Sequence, residues 1–255
     1  MEKENENERK TEKPKRKGSL ITAKIITIAL LAMVLIIPSE FISSLIDERK
    51  ELGNNALTEV AMKWGGRQNI GGPVLYVPFI REVKNDKMQL EKRLEYITIL
   101  PTMLDITGSI EPEIRYRGIY KFVLYSTKLK LKGNFIIPDL SDLDVANGTL
   151  KWDEAYILFG VSDMVGIRDS LKIKWNSEEK EFYSGLKSKD LFEAGVNTIV
   201  NVIPNGKNTF EMDVNIRGSE DITFMPVGKE TTVTLNSKWG EPSFIGGFLP
   251  DTRKI

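Results

Sequence analysis

The sequence predicts a mainly β protein: an antiparallel two-layer β domain preceded by one N-terminal transmembrane helix and an amphipathic stalk helix. Three observations carry this. An apolar run near the N-terminus is long enough to cross a bilayer, and a helical stripe follows it. From Val74 onward apolar residues recur at every second position.

Residues 1–17 hold seven basic and five acidic groups and few apolar ones, which predicts a disordered tail. Leu20–Ile37 is then an 18-residue run with one charge, Lys24. A spanning helix needs about 20 apolar residues. Lys24 stands one turn from the polar edge, where its stem lets the ammonium reach the headgroups. Phe41, Ile42, Leu45 and Ile46 extend the apolar character past Pro38, so residues 18–46 read as the anchor. Lys13, Lys15, Arg16 and Lys17 crowd its N-terminal flank. Positive flanks stay inside, so the tail is expected in the cytoplasm and the bulk of the chain outside it. A cleaved signal peptide shares the basic flank and apolar core, but Ile36-Ile37-Pro38-Ser39-Glu40 offers no small-x-small cleavage site.

Residues 47–70 read as stalk helix and linker. Leu45, Leu52, Ala56, Val60 and Trp64 recur at sevens and fours, while Asp47-Glu48-Arg49-Lys50-Glu51 covers the other side. Gly65-Gly66 and Gly71-Gly72-Pro73 stop it.

Residues 71–255 read as the extracytoplasmic β domain. Phe210-Glu-Met-Asp-Val-Asn-Ile216 is apolar at each even position and polar at each odd one, the pattern of a half-buried strand. Lys128-Leu-Lys-Leu-Lys132 also alternates, and its solvated lysine face suggests a sheet edge. Further strands are expected at 74–80, 94–100, 119–125, 150–160, 171–175, 222–225 and 231–237. Asn147-Gly148 and Asn205-Gly206 are type I′ hairpin signals, and 186–194 is a short helix or a turn. Many strands and no second long helical stripe give the two-layer expectation.

Composition removes several functions. The chain has no cysteine and no histidine. That excludes a disulfide framework, a thiol nucleophile, thiolate or imidazole metal ligation and a Ser-His-Asp triad. With 36 basic and 36 acidic side chains, it has no net charge to attract nucleic acid. The remaining candidates are weak. Ser184-Gly-Leu-Lys187 and Ser177-Glu-Glu-Lys180 match Ser-x-x-Lys, but chance supplies such matches and the Ser-Asp-Asn and Lys-Thr-Gly companions are absent. Asp139, Asp142 and Asp144 could gather round calcium, yet they lack the full EF-hand spacing and its glycine. Asn147-Gly-Thr149 fits a glycosylation acceptor but is equally a turn. Trp64, Trp152, Trp175 and Trp239 could line a sugar- or lipid-binding face; more often such residues are half-buried core. No catalytic, cofactor-binding or metal-binding residue is therefore assigned, and no cofactor is expected.

Four segments carry a more specific signal. They are Gln68–Pro78, Arg117-Gly-Ile-Tyr120, Ser162-Asp163-Met-Val-Gly166-Ile-Arg168, and Ser237-Lys-Trp239-Gly-Glu-Pro242-Ser-Phe244-Ile-Gly246-Gly-Phe248-Leu-Pro250. In this order, after an anchor and stalk, they resemble the CreD family of bacterial inner-membrane, cell envelope integrity proteins over nearly all of residues 20–255. Bland physical roles suit them too. Gly72-Pro73 can fix a turn, Gly166 can supply an unusual backbone angle, and Trp239 with Phe244 and Phe248 can close the core. The resemblance implies an inner-membrane location and a contribution to envelope integrity, and it carries over no catalytic residue. The resemblance implies that C-terminal membrane helices follow this motif, and residues 1–255 hold no second apolar run of spanning length. Those helices, the lipid bilayer and other envelope proteins are the expected partners. The expectation is a non-enzymatic protein; the alternative is an anchored hydrolase using carboxylates or a Ser/Lys pair.

Overall fold

The structure is a computed structural model that describes residues 18–84, 88–140, 148–188, 190–240 and 242–247. One helix, α1 (Gly18–Trp64), contains Pro38 and holds the whole apolar run. Among the described residues it is the helix long and apolar enough to cross a membrane. The chain divides into two compact units, Met1–Asn54 and Asn55–Ile255, so the last ten helical residues belong with the strands. The N-terminal tail, Asp142, Asp144, Asn147 and Phe248 lie outside the described residues.

Among the described residues thirteen strands follow: β1 (Gln68–Lys84), β2 (Leu90–Ile99), β3 (Met103–Arg117), β4 (Tyr120–Ile136), β5 (Gly148–Leu150), β6 (Tyr156–Val161), β7 (Lys172–Trp175), β8 (Glu178–Glu181), β9 (Tyr183–Ser184), β10 (Gly195–Ile199), β11 (Lys207–Ser219), β12 (Ile222–Met225) and β13 (Glu230–Ser237). One sheet runs β12-β1-β6-β10-β9, with β2 and β5 also on β1; the other runs β13-β3-β4-β11-β7-β8. The pairing is antiparallel except for β1 with β12 and β3 with β13, which are parallel. The two sheets share one core. Ile70, Leu75, Ile157 and Phe159 from the first join Leu104, Leu131, Phe135, Trp175, Phe210 and Val214 from the second in it.

The alternation on β11 is borne out: Phe210, Met212, Val214 and Ile216 are all buried. The lysine strand is not an edge. β4 lies between β3 and β11, and its register sets lysines against acids. One row across five strands reads Asp105, Lys132, Glu211, Lys174, Glu179, and the next reads Thr107, Lys130, Asp213, Lys172, Glu181. Opposite charges facing each other across a sheet are stabilising, so an interior strand tolerates the lysines. Lys130 Nζ lies 2.6 Å from Glu211 Oε1, and Lys172 Nζ 3.0 Å from Glu179 Oε1.

Three other expectations are corrected. Gly72-Pro73 is not a turn; it sits inside β1, where the register with β6 shifts between Gly71 and Val74, a bulge. Asn205-Gly206 does not close a hairpin, because β10 and β11 lie in different sheets. Asn205 has a positive φ of 52°, but Gly206 does not, and the turn serves a crossover. The segment 150–160 is not one strand; a 3-10 turn at Trp152–Glu154 separates β5 from β6. Residues 186–194 form no helix among those described, and the loop folds over the outside of the first sheet. There the Phe192 ring lies against Gly71 and Gly160, which pair across β1 and β6. β1 is buried at every position from Ile70 to Phe79, and Phe192 supplies the cover at Gly71.

Candidate functional site

Three of the four motif segments meet at one place, the end of α1. The helix stops at Trp64 because Gly65 adopts a φ of 122°, while its N–H still bonds to the Ala61 carbonyl at 2.9 Å. A side chain there would also come within 2.7 Å of the Arg217 carbonyl oxygen, so both the turn and the close approach require glycine.

Trp64 is the anchor of this joint. Its indole N–H donates to the Tyr125 carbonyl oxygen at 3.3 Å. The guanidinium of Arg217 on β11 lies 4.2 Å from its ring centroid and that of Arg115 on β3 lies 5.6 Å away. Cation–π contacts of this kind hold an aromatic edge between strands even where it is half solvated. One turn back along the helix, Glu59 pairs with Arg117 at the tip of the β3–β4 hairpin.

Gln68, the first residue of β1, is 1% exposed. Its amide N–H groups donate to the carbonyl oxygens of Asp163 (3.1 Å) and Arg217 (3.0 Å). Asp163 accepts through Oδ2 from the Gly66 N–H at 2.7 Å and through Oδ1 from the Val165 N–H at 2.9 Å. The second bond caps the 3-10 turn Met164–Gly166. Ser162 Oγ donates to the Arg67 carbonyl and accepts from the Asn69 N–H, both at 2.8 Å. Gly166 does not supply an unusual backbone angle. Its lack of a side chain makes room for the Gln68 amide and the Arg217 carbonyl. Across the joint, Arg67 pairs with Glu220 and lies 3.6 Å from Asp221. The Tyr125 hydroxyl donates to the Asp221 carbonyl oxygen at 2.6 Å, and burial pushes its pKa above the usual phenol range. Beside these groups a groove of about 500 Å³ runs between Leu57, Ala61 and Met62 on the helix and Arg67, Val165 and Glu220 on the sandwich.

This arrangement ties the helix end to the sandwich. Most of its polar groups are engaged with backbone carbonyls, amides and one another; the buried Gln68 Oε1 has no partner among the described residues.

The candidates for chemistry are not brought together. Ser184 and Lys187 are both exposed, and Lys187 Nζ lies 4.7 Å from the Tyr156 ring centroid, not on Ser184. Ser177 sits in the β7–β8 turn, and Lys180 Nζ is 2.7 Å from Glu178. Neither serine opens a helix, as the pattern requires. Among the described residues no acidic cluster could hold a metal ion; Asp139 is exposed. Trp175 is core and donates to the Asn201 carbonyl at 2.8 Å. Trp152 and Trp239 are half-buried. The fourth motif stands apart. Phe244 is 47% exposed and Ile245 82% exposed, so the expected core closure by Phe244 does not occur. What sequence reading missed was the role of Gln68, Arg115 and Arg217. A polar pair, Arg67-Gln68, directly after a glycine pair, and arginines beside apolar residues, were the available signals.

The profile of the family described as inner membrane protein CreD matches residues 20–255. Inner membrane protein CreD of Escherichia coli (strain K12) is 27% identical over 233 residues, covering 88% of this chain and 50% of the relative. The chain thus spans about half the length of that relative. No solved structure matches. With an N-terminal apolar helix of spanning length and a match over nearly its whole length, the chain belongs to the CreD family of inner membrane proteins.

Proposed function

We propose that this protein contributes to cell envelope integrity without catalysis, as an anchored β sandwich that works through contacts made outside the cytoplasm. The observation that supports this is the joint. Three of the segments that resemble the family, through Gln68, Arg117 and Asp163, help Trp64 hold the helix end to the sandwich, and no reactive centre is built there. A joint made of a stacked indole, an interior amide and two paired arginines transmits position between a helix and a sheet. The basic flank Lys13–Lys17 favours a cytoplasmic N-terminus with the sandwich on the other side.

The experiment compares two sets of variants in cells lacking the native protein. Asp163→Ala and Trp64→Ala are expected to lose envelope resistance to detergent while still reaching the membrane. Ser184→Ala and Lys187→Ala are expected to keep it. The reverse pattern would move the function to the Ser/Lys pair and overturn the reading.

A further inference from the structure

The described edges of the two sheets are guarded, with one exception. β8 carries Glu178, Glu179, Lys180 and Glu181, and β2 carries Glu91, Lys92, Arg93 and Glu95. β9 has two residues and β12 four. Charges and shortness are the usual means by which a sheet avoids adding a strand. β13 has neither. It is eight residues long, ends its sheet, and has no charge from Thr231 to Ser237.

The backbone direction along this edge follows from one hydrogen bond. The Glu230 N–H donates to the Thr102 carbonyl at 3.1 Å, beside β3. In a strand, alternate residues turn their amides to opposite sides, so Thr232, Thr234 and Asn236 also face β3. Thr231, Val233, Leu235 and Ser237 then present their N–H and C=O groups outward.

We infer that β13 pairs antiparallel with β13 of a second copy of this chain, centred on Thr234. The sequence is self-complementary about that residue. The pairing sets Val233 against Leu235 and Thr231 against Ser237 on the core side. On the outer side it sets Thr232 against Asn236 and Thr234 against its twin. At both ends it places Glu230 opposite Lys238 of the other copy, a pair of opposite charges. The core-side pairs coincide with the outward amides, so each exchanges two N–H···O bonds across the two-fold. Leu235 already leans on the core, and the Val233–Leu235 rows would extend that apolar surface from one copy into the next.

The chain has no cysteine, so single-cysteine variants report this contact without background. At the two-fold, Thr234 and its twin form a pair without hydrogen bonds, with Cα atoms about 4.5 Å apart, within disulfide reach. Thr232 and its twin would stand roughly 13 Å apart, out of reach. In native membranes under mild oxidation, the full-length T234C protein should form a disulfide-linked dimer, and S177C, in the β7–β8 turn, should not. T232C and N236C should cross-link when co-expressed and remain monomeric when expressed alone. Adding V233K to T234C should abolish the dimer, with trypsin resistance of the sandwich confirming that it still folds. The inference is overturned if T234C cross-links no faster than S177C, if T232C alone dimerises as readily, or if V233K leaves the dimer intact. Adducts with other proteins and no dimer would overturn it equally.

Discussion

Trp64 donates its indole N–H to the backbone carbonyl of Tyr125, 61 residues later in the chain, at 3.3 Å. This bond ties the last helical turn to the centre of the second sheet, and the Arg217 guanidinium closes over the ring from β11. Removing the ring therefore loses buried area, a hydrogen bond and a cation–π contact together. Trp64→Ala should cost about 2 kcal/mol, less than a fully buried tryptophan, because Trp64 is half-buried. Trp64→Phe keeps the ring and loses the donor, at about 1 kcal/mol. Thermal unfolding of the detergent-solubilised protein should rank wild type above W64F and W64F above W64A.

Two glycines of the motif segments should respond differently to alanine. At Gly166 the new methyl meets the Gln68 amide and the Arg217 carbonyl, and neither can retreat without breaking the joint. Gly166→Ala should cost about 2 kcal/mol by overpacking. Gly118, at the β3–β4 tip, has open space around it but a φ of 59°. Its substitution should cost about 1 kcal/mol, from backbone strain alone. Denaturant midpoints of the two variants check the order.

The seat of Phe192 can be tested by a double-mutant cycle. Gly160→Ala would push a methyl into the ring, and Phe192→Ala would leave the glycine floor bare. The first should cost about 2 kcal/mol and the second about 3 kcal/mol. Combined, the alanine methyl partly fills the vacated seat, so the double variant should be more stable than the sum predicts. Strict additivity would show that the ring and the glycine do not share this contact.

Acid should weaken the charge ladder. A hydrogen bond from Lys130 holds the Glu211 carboxyl below its ordinary pKa, and Lys180 together with Asn201 does the same for Glu178. A carboxylate depressed in the folded state stabilises above its unfolded pKa of about 4.3 and loses that contribution as pH falls through the folded value. Lys130 and Lys172 are raised, chiefly by hydrogen bonds to Glu211 and Glu179, so their contribution fades as pH climbs beyond about 10.4. These groups are exposed or half-exposed at the surface, so salt should flatten both ends of the profile. The melting temperature measured against pH at low and high salt checks this, and Glu211→Gln should blunt the acid limb.

Much of the architecture was legible because the signals were local. Leu20–Ile37 announces a spanning helix by itself, and Phe210–Ile216 announces a half-buried strand by strict alternation. The lysine strand was misplaced because sequence shows one strand at a time. The acids that neutralise Lys130 and Lys132 lie some eighty residues away on β11 and become neighbours only through register. β3 was hard to see for a related reason: Gly108, Ser109 and Pro112 break its pattern, yet antiparallel pairing with β4 carries it to Arg117. The joint was half legible. Its segments stood out as motifs, but Gly166 seemed to need a backbone angle when it needs space, which depends on Gln68 arriving from β1. Asn205-Gly206 marked a turn correctly but could not say that the chain was changing sheets.

The most direct test of the whole account is the side of the membrane on which the sandwich lies. The cysteine-free chain allows it with a membrane-impermeant maleimide on intact cells whose outer membrane has been made permeable. S177C should label in intact cells, and T11C, in the tail, should label only after lysis. Labelling of T11C and protection of S177C would place the sandwich in the cytoplasm and contradict the account.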